Sequence, residues 1–430
     1  MFRRARRRIR VSEKLAIQGG TPVRTKPFPP GWHGVAEIGE KEEQAVLKVL
    51  REQRVFRFLG DQEKSETAQL EKAFCEATGQ PYALAVNSGT SALICGLVGL
   101  EIGPGDEVIV PGYTYIASAA SIVAVGAVPV ITEIDNSLTI DPDDIRKKIT
   151  PYTKAIMLVH MRGTPCRMDE IMAIAKEHNL AVIEDTAQAD GGTYKGKVLG
   201  GIGDVGCFSF QMSKTITAGE GGVVVMRDRK VYDRARMAHD SAFTFWRPGE
   251  SEVDPIPGEG FRISEVSGAI ALTQFGRLPS IVERLRRVKY RIVDQIKDLR
   301  GIELQDMPDV PGDTSICLMF FGPTEAKARE YAAALNKEGI PCGTMFSKEI
   351  PDRHIYPNWT YVLEKRGRTP NWSPWHPSVY KGSVEYSKDM CPKTLAYLGR
   401  TIHIGLSQKF TDEDADDIAK AIRKVVTALA

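Results

Sequence analysis

From about residue 83 to residue 226 the chain alternates short apolar runs with longer amphipathic stretches. The short runs predict strands at Ala83–Val86, Glu107–Val110, Val128–Ile131, Ala155–His160, Ala181–Glu184, Val205–Phe210 and Gly221–Met226. Between them, Thr90–Leu100, Ile116–Val125, Asp141–Ile149 and Asp169–His178 predict helices, several of them opened by capping residues. This alternation is that of an α/β core, a mostly parallel sheet flanked by helices. In such sheets ligands sit beyond the carboxyl ends of the strands, so the residues just after each strand are where chemistry is expected.

After residue 260 the pattern changes. A long charged stretch over 263–300 predicts a single helix joining two domains. A smaller α+β unit over 301–430 follows, with an apolar run at Ile316–Phe321, a helix near Glu325–Glu338, a strand near Thr401–Ser407 and a closing helix from Asp412 to Leu429. Between Phe346 and Met390 the chain is rich in Trp, Tyr, Pro and Lys with little periodicity, which predicts an irregular insertion. The large α/β domain is then 15–262 and the small domain 301–430. A length of 430 residues agrees with two domains, since one core usually serves ~100–200 residues.

Composition narrows the class. At 42% hydrophobic and 26% charged the chain fits neither a disordered nor a membrane protein. The net charge of +2 depends on an arginine-rich opening, Met1 to Arg10, read with residues 1–14 as a solvated basic tail; the remainder is mildly acidic. Neither an apolar signal core nor a run of roughly 18 apolar residues occurs, so a membrane partner is not expected and the cytoplasm is the expected location. The seven cysteines form no Cys-x-x-Cys pair, which argues for a reducing compartment and against zinc. No nucleic-acid partner and no metal are expected.

Four strand ends carry the candidate chemistry. The first runs into Asn87-Ser88-Gly89-Thr90-Ser91-Ala92, a turn that is either a plain helix cap or a phosphate seat at a helix N-terminus. The second reaches Pro111-Gly112-Tyr113-Thr114-Tyr115, where Tyr115 either packs in the core or stacks on a planar ring. The third ends Glu184-Asp185-Thr186-Ala187-Gln188; Asp185 either caps the next turn or answers a buried cation, such as a protonated pyridine nitrogen. The fourth leads from Cys207 through Ser209 to Lys214 and on to Gly219-Glu220-Gly221-Gly222. A lysine in such a small-residue loop is partly desolvated, which lowers its pKa and makes its amine nucleophilic.

With these segments in this order, the chain resembles the DegT/DnrJ/StrS family of aminotransferases dependent on pyridoxal 5'-phosphate (PLP), within the fold-type I aspartate aminotransferase superfamily. The likeness spans about residues 15 to 425. It implies a fold-type I PLP-transferase in which Lys214 is the Schiff-base lysine and Asp185 pairs with the pyridinium nitrogen. It further implies phosphate contacts at Ser88, Gly89, Thr90 and Ser209, ring stacking by Tyr115, and Gln188 near the ring hydroxyl. The implied reaction is ping-pong, with pyridoxamine 5'-phosphate as the intermediate cofactor form. The amino group passes from an amino acid, glutamate or glutamine, to a keto sugar, keto cyclitol or related ketone. A homodimer with active sites near the subunit interface is implied as well.

Three departures from the family pattern stand out. Gly258-Glu259-Gly260-Phe261-Arg262 has Gly260 where the family usually has an asparagine that reaches the partner subunit's phosphate. His160-Met161-Arg162-Gly163 places Arg162 where an aromatic is usual, and Asp190 stands where a histidine often follows Ala-Gln-Ala. Arg162 and Asp190 either alter the acceptor or pair with each other as structure, and His160 is either a packed histidine or a general base; all three are candidate substrate contacts. Two other functions remain open at this level. One is a PLP lyase of the aminohydroxybenzoate-forming type, which retains the lysine; Lys214 argues against the sugar 3-dehydratases, which replace it with histidine. The other is a non-catalytic PLP-binding regulatory protein, against which the Asp185–Lys214 pair weighs.

Overall fold

The computed structural model describes residues 14–29, 32–346 and 351–429. The arginine-rich opening, residues 1–13, lies outside the described residues, as does 347–350 of the expected insertion. Seven strands form the large sheet: β1 Tyr82–Val86, β2 Glu107–Pro111, β3 Val128–Thr132, β4 Thr153–Val159, β5 Ala181–Asp185, β6 Val205–Ser209 and β7 Gly222–Met226. Their order across the sheet is β1-β7-β6-β5-β4-β2-β3. The strands from β3 to β6 pair in parallel, and β7 runs antiparallel to both β1 and β6. The sheet is thus mostly parallel. Each sequence-expected strand is present with ends shifted by a residue or two, within the ordinary uncertainty of such boundaries.

The order also explains where a pocket opens. The chain leaves β2 to one side for β3 and then crosses back to the other for β4, so the connections diverge where β2 and β4 lie side by side. A crevice forms at the carboxyl ends beside such a switch. Burial fixes the register: every residue of β2, β3, β6 and β7 is buried, and no one-residue slip leaves these strands an equivalent core.

The single helix expected over 263–300 is two helices, Glu265–Phe275 and Leu278–Ile296. Pro279 is the cause. It has no N–H to give the Phe275 carbonyl four residues back, and its ring would collide with that carbonyl. The second helix packs along the closing helix Asp412–Leu429. A four-stranded antiparallel sheet completes the C-terminal part: β8 Glu303–Leu304, β9 Cys317–Phe321, β10 Gly343–Thr344 and β11 Thr401–Gly405, in the order β8-β9-β11-β10.

The segment between Phe346 and Met390 is irregular, yet several of its aromatic residues are core. Tyr356, Trp359, Val362, Trp375 and Tyr380 are buried in the same cluster as Val108, Val110 and Ile131 of the large sheet. Backbone bonds tie it to the chain after β2: the Tyr356 N–H donates to Gly112 at 3.0 Å, Thr114 donates to His354 at 2.9 Å, and Ile116 donates to Arg353 at 3.1 Å. All seven cysteines are free thiols. No described helix is long and apolar enough to cross a membrane.

Candidate active site

The carboxyl ends of the strands open into a cleft of about 440 Å³. Ser88, Gly89, Thr90, Tyr115, Asp185, Gln188, Ser209 and Lys214, drawn from β1, β2, β5 and β6 and the loops that follow them, all line it. One end is shaped by the turn after β1. Ser88 caps the helix Gly89–Gly99, its Oγ accepting the Ser91 N–H at 3.0 Å. The free N–H groups of the first helical turn therefore belong to Gly89 and Thr90, where an anion is stabilised by both the donors and the helix dipole. A side chain on Gly89 would place its Cβ 2.6 Å from the Ser209 Cβ and 3.0 Å from its Oγ. Glycine is what lets these two strand ends close into one cradle.

Asp185 ends β5 and is 6% exposed. Ser118 donates its hydroxyl to Asp185 Oδ2 at 2.8 Å, and the Ala187 N–H donates to Oδ1 at 3.2 Å. Burial nevertheless pushes the carboxyl above the usual range, against the pull of those two bonds and of Lys214. A carboxylate so placed is short of a cation, and a protonated ring nitrogen supplies one.

Lys214 lies in the loop between β6 and β7. Its carbonyl accepts the Gly34 N–H at 3.2 Å, and its own N–H donates to the Gln211 carbonyl at 2.9 Å, so the backbone is held on both sides. Its pKa lies below the ordinary lysine value. Burial is the main cause and the Arg162 charge adds to it, while Asp185 and Asp190 pull the other way. The amine is therefore closer to its nucleophilic, uncharged form than a surface lysine is.

The three candidate substrate contacts do not share the cleft. His160 is fully buried away from it: Nε2 lies 3.0 Å from Glu184 Oε2, and Nδ1 accepts the Cys166 N–H at 3.1 Å. Both ring nitrogens are committed, so the histidine is structural. Asp190 does not line the cleft but an apolar cavity of about 460 Å³ with Phe74, Phe208 and Phe275, close enough to Lys214 for its charge to be felt there. Both its carboxylate oxygens are buried without a hydrogen-bond partner, which corrects the idea that it pairs with Arg162. Arg162 sits at the rim of the site, in the left-handed backbone region with φ 54°, its N–H donating to Gln188 Oε1 at 3.3 Å. Gly260, where asparagine was expected, has open space where a Cβ would be, and its carbonyl accepts the Asn87 amide at 3.3 Å. Arg262 is ion-paired with Asp240.

Several cleft residues were not foreseen. His354, from the irregular insertion, lines the cleft and stands against Tyr115 with ring centroids 5.3 Å apart. Thr114, Gln211, Ser213 and Glu220 line it too. Ser118 had a sequence signal: it is one of few hydroxyls in the otherwise apolar helix Ala117–Ala124 that follows the second strand end. His354 had none, since only the fold carries residue 354 to residue 115.

Comparison with known proteins agrees with this geometry. Residues 36–375 match the model of the DegT/DnrJ/EryC1/StrS aminotransferase family. GDP-perosamine synthase of Caulobacter vibrioides is 42% identical over 221 residues, 51% of this chain; the match spans only 59% of that protein's length. An L-glutamine:2-deoxy-scyllo-inosose aminotransferase of Streptoalloteichus tenebrarius is 35% identical over 311 residues, covering 70% of this chain and 72% of its own. Among solved structures, that of 3-amino-5-hydroxybenzoic acid synthase superposes with a TM-score of 0.76 at 27% identity, covering 94% of this chain and 100% of that one. With the family match over most of its length and the strand-end cleft in place, the chain belongs to the DegT/DnrJ/EryC1/StrS aminotransferase family.

Proposed function

We propose that this protein is a PLP-dependent aminotransferase that moves an amino group from glutamine or glutamate to a keto sugar or keto cyclitol in a ping-pong reaction. The observation that carries this reading is the meeting of a desolvated lysine, Lys214, and a cation-seeking acid, Asp185, in one cleft with the Gly89–Thr90 turn. The residues fit the cofactor: an anion seat at one end, a buried carboxylate below, and an amine within the cleft. The names of the perosamine synthase and the inosose aminotransferase supply the sugar and cyclitol class and the glutamine donor.

When bound, PLP supplies an aldehyde for amines and a ring that takes up the electron pair left when the neighbouring carbon loses its proton. Asp185, held by Ser118 and Ala187, keeps a negative charge where the ring nitrogen must stay protonated. Gly89, Thr90 and Ser209 would hold the phosphate, and Tyr115 and His354 would wall the ring side of the cleft. Lys214 would hold the cofactor through its aldehyde, and its amine would be the base placed to accept and return a proton in the cleft. Its lowered pKa suits a group that must accept a proton near neutrality.

The reading extends to a homodimer in the cytoplasm. The open face at Gly260 and the stretch after Phe261 are assigned to the subunit interface. Light scattering that gives a fully active monomer would overturn the dimer. The likeness to 3-amino-5-hydroxybenzoic acid synthase favours a lyase as the second reading. Anaerobic spectra separate the two. Transamination requires that glutamine or glutamate bleach the visible absorbance of the bound cofactor and that a keto sugar or cyclitol restore it. Absence of bleaching by either donor contradicts it.

A further inference from the structure

Asp190 occupies the turn that follows β5 and is 1% exposed, with neither carboxylate oxygen hydrogen-bonded. The turn is held tightly. The Ala189 N–H donates to the Thr186 carbonyl at 2.8 Å, and the Gly192 N–H donates to the Ala189 carbonyl at 2.9 Å. Gly191 adopts the left-handed backbone at φ 81°, and a Cβ on it would fall 2.8 Å from Leu278 Cγ and 3.0 Å from Val282 Cγ2. Close packing against the helix Leu278–Ile296 thus fixes the backbone beside Asp190.

The cavity that Asp190 lines is otherwise mostly apolar. Phe74, Phe208 and Phe275 line it together with Leu278 and Val282, and the Phe74 ring centroid lies 4.9 Å from that of Phe208 and 4.6 Å from that of Phe275. Its volume of about 460 Å³ falls within the span of small-molecule sites, roughly 300–1,000 Å³.

Charge decides what kind of molecule fits. Among the described residues, three charged side chains line the cavity: Asp190, Glu283 and Arg286. Glu283 and Arg286 stand three apart on one helix and bring one charge of each sign, and Arg286 Nε donates to the Asp313 carbonyl at 2.6 Å. Asp190 is then the charge without a counterpart. Burial raises its carboxyl well above the ordinary value; the Lys214 charge opposes that rise and Asp185 adds to it. Arg286 Nη2 is also buried and unbonded, yet an anion brought to it would share the cavity with two acids. A cation meets the opposite balance. An isolated buried acid is costly. An ammonium group against its oxygens offsets that cost, while an apolar body fills the space among the phenylalanines.

We propose that this cavity binds a small apolar molecule bearing one amino group, with Asp190 recognising its ammonium. The cavity shares none of the residues that line the strand-end cleft. The site is therefore separate from the one assigned to the cofactor, and it does not rest on the aminotransferase reading.

The test is titration of the holoprotein with N,N-dimethylbenzylamine, followed through the ligand's NMR signals. This amine is tertiary, so it cannot condense with the cofactor's aldehyde, and it is protonated near neutral pH. Isobutylbenzene, the same shape with carbon in place of nitrogen, is the uncharged control. The wild type binds the amine about tenfold or more tighter than isobutylbenzene, the range for a hydrogen bond to a charged group. Asp190→Asn keeps the shape of the side chain and loses the preference: the amine falls to the affinity of isobutylbenzene, whose own binding is unchanged. Val282→Phe, which fills the cavity and leaves Asp190 in place, weakens both. The proposal is overturned if the wild type shows no preference for the amine, if Asp190→Asn binds it as the wild type does, or if Val282→Phe changes neither affinity. A wild type that binds neither compound, as when a second copy of the chain covers the cavity, overturns it too. Every outcome is read without turnover, so the aminotransferase reading stands or falls separately, on the bleaching of its cofactor.

Discussion

The hydroxyl of Ser118 lies 2.8 Å from Asp185 Oδ2 and is itself 2.7 Å from Thr114 Oγ1. This links the helix after β2 to the acid at the end of β5. It is the one side-chain hydrogen bond that offsets the burial of Asp185. Ser118→Ala leaves Asp185 with the Ala187 N–H alone, so the carboxyl becomes harder to ionise and a worse partner for a ring nitrogen. We expect cofactor affinity to fall about tenfold, the lower end for a hydrogen bond to a charged group. Spectroscopic titration of the apoprotein with PLP checks this. Unchanged affinity would show that Asp185 needs no such support.

Gly89 and Ser209 predict a separation of binding from folding. Ser209 belongs to β6, an interior strand of the large sheet, and cannot retreat from a new methyl group 2.6 Å away. Gly89→Ala therefore moves the helix end and misplaces the Gly89 and Thr90 N–H groups. Overpacking of this kind costs about 1–3 kcal/mol. Thermal melting of the apoprotein should show that modest loss, while PLP affinity should drop by more than the same energy accounts for.

How much of this was legible in the sequence depends on how local each signal is. The strands around Ala83, Glu107, Val128, Ala181 and Val205 are legible because a strand buried on both faces must be apolar through most of its length. The cleft residues followed because each sits within a few positions of a strand end. The Phe275–Leu278 break was concealed by helix-like charge spacing, although Pro279 was a signal that could have been weighed more heavily. His354 was invisible, since its place beside Tyr115 depends on pairing between residues 114–116 and 353–354. The suggested Arg162–Asp190 pair fails for the same reason: each follows a different strand, and only the fold decides whether their side chains meet.

Asp190 gives a pH test. Its carboxyl is raised well above the ordinary value by burial. The unfolded chain ionises near pH 3.9 and the folded one only at higher pH, so the folded protein holds the extra proton in between. The contribution to stability is complete below about pH 3.9 and is lost as pH rises toward the folded value. Asparagine does not titrate. Asp190→Asn should therefore gain on the wild type as pH rises from acid to neutral, by roughly 1 °C in melting temperature for each kcal/mol. A difference that stays constant with pH contradicts the burial of an unpaired acid there.

Trp359 tests whether the insertion supports the site. It is 0% exposed, and its Nε1–H donates to the Arg353 carbonyl at 2.9 Å, one residue from His354. Trp359→Ala should cost about 3–5 kcal/mol of stability, as emptying a buried aromatic site does. Trp359→Phe, which keeps most of the volume, should fold well and loosen the 353–354 backbone. For that variant we expect KM for the keto acceptor to rise with little change in PLP affinity. If both stay at wild-type values, the insertion is cover and not part of the site.

The central claim concerns Lys214, and one measurement addresses it most directly. Holoprotein reduced with borohydride, digested and mapped by mass spectrometry should carry its phosphopyridoxyl group on Lys214. Lys214→Ala, treated in the same way, should carry none and should retain almost no turnover. A label on a different lysine of the wild type, or a Lys214→Ala protein that still turns over, would contradict the account.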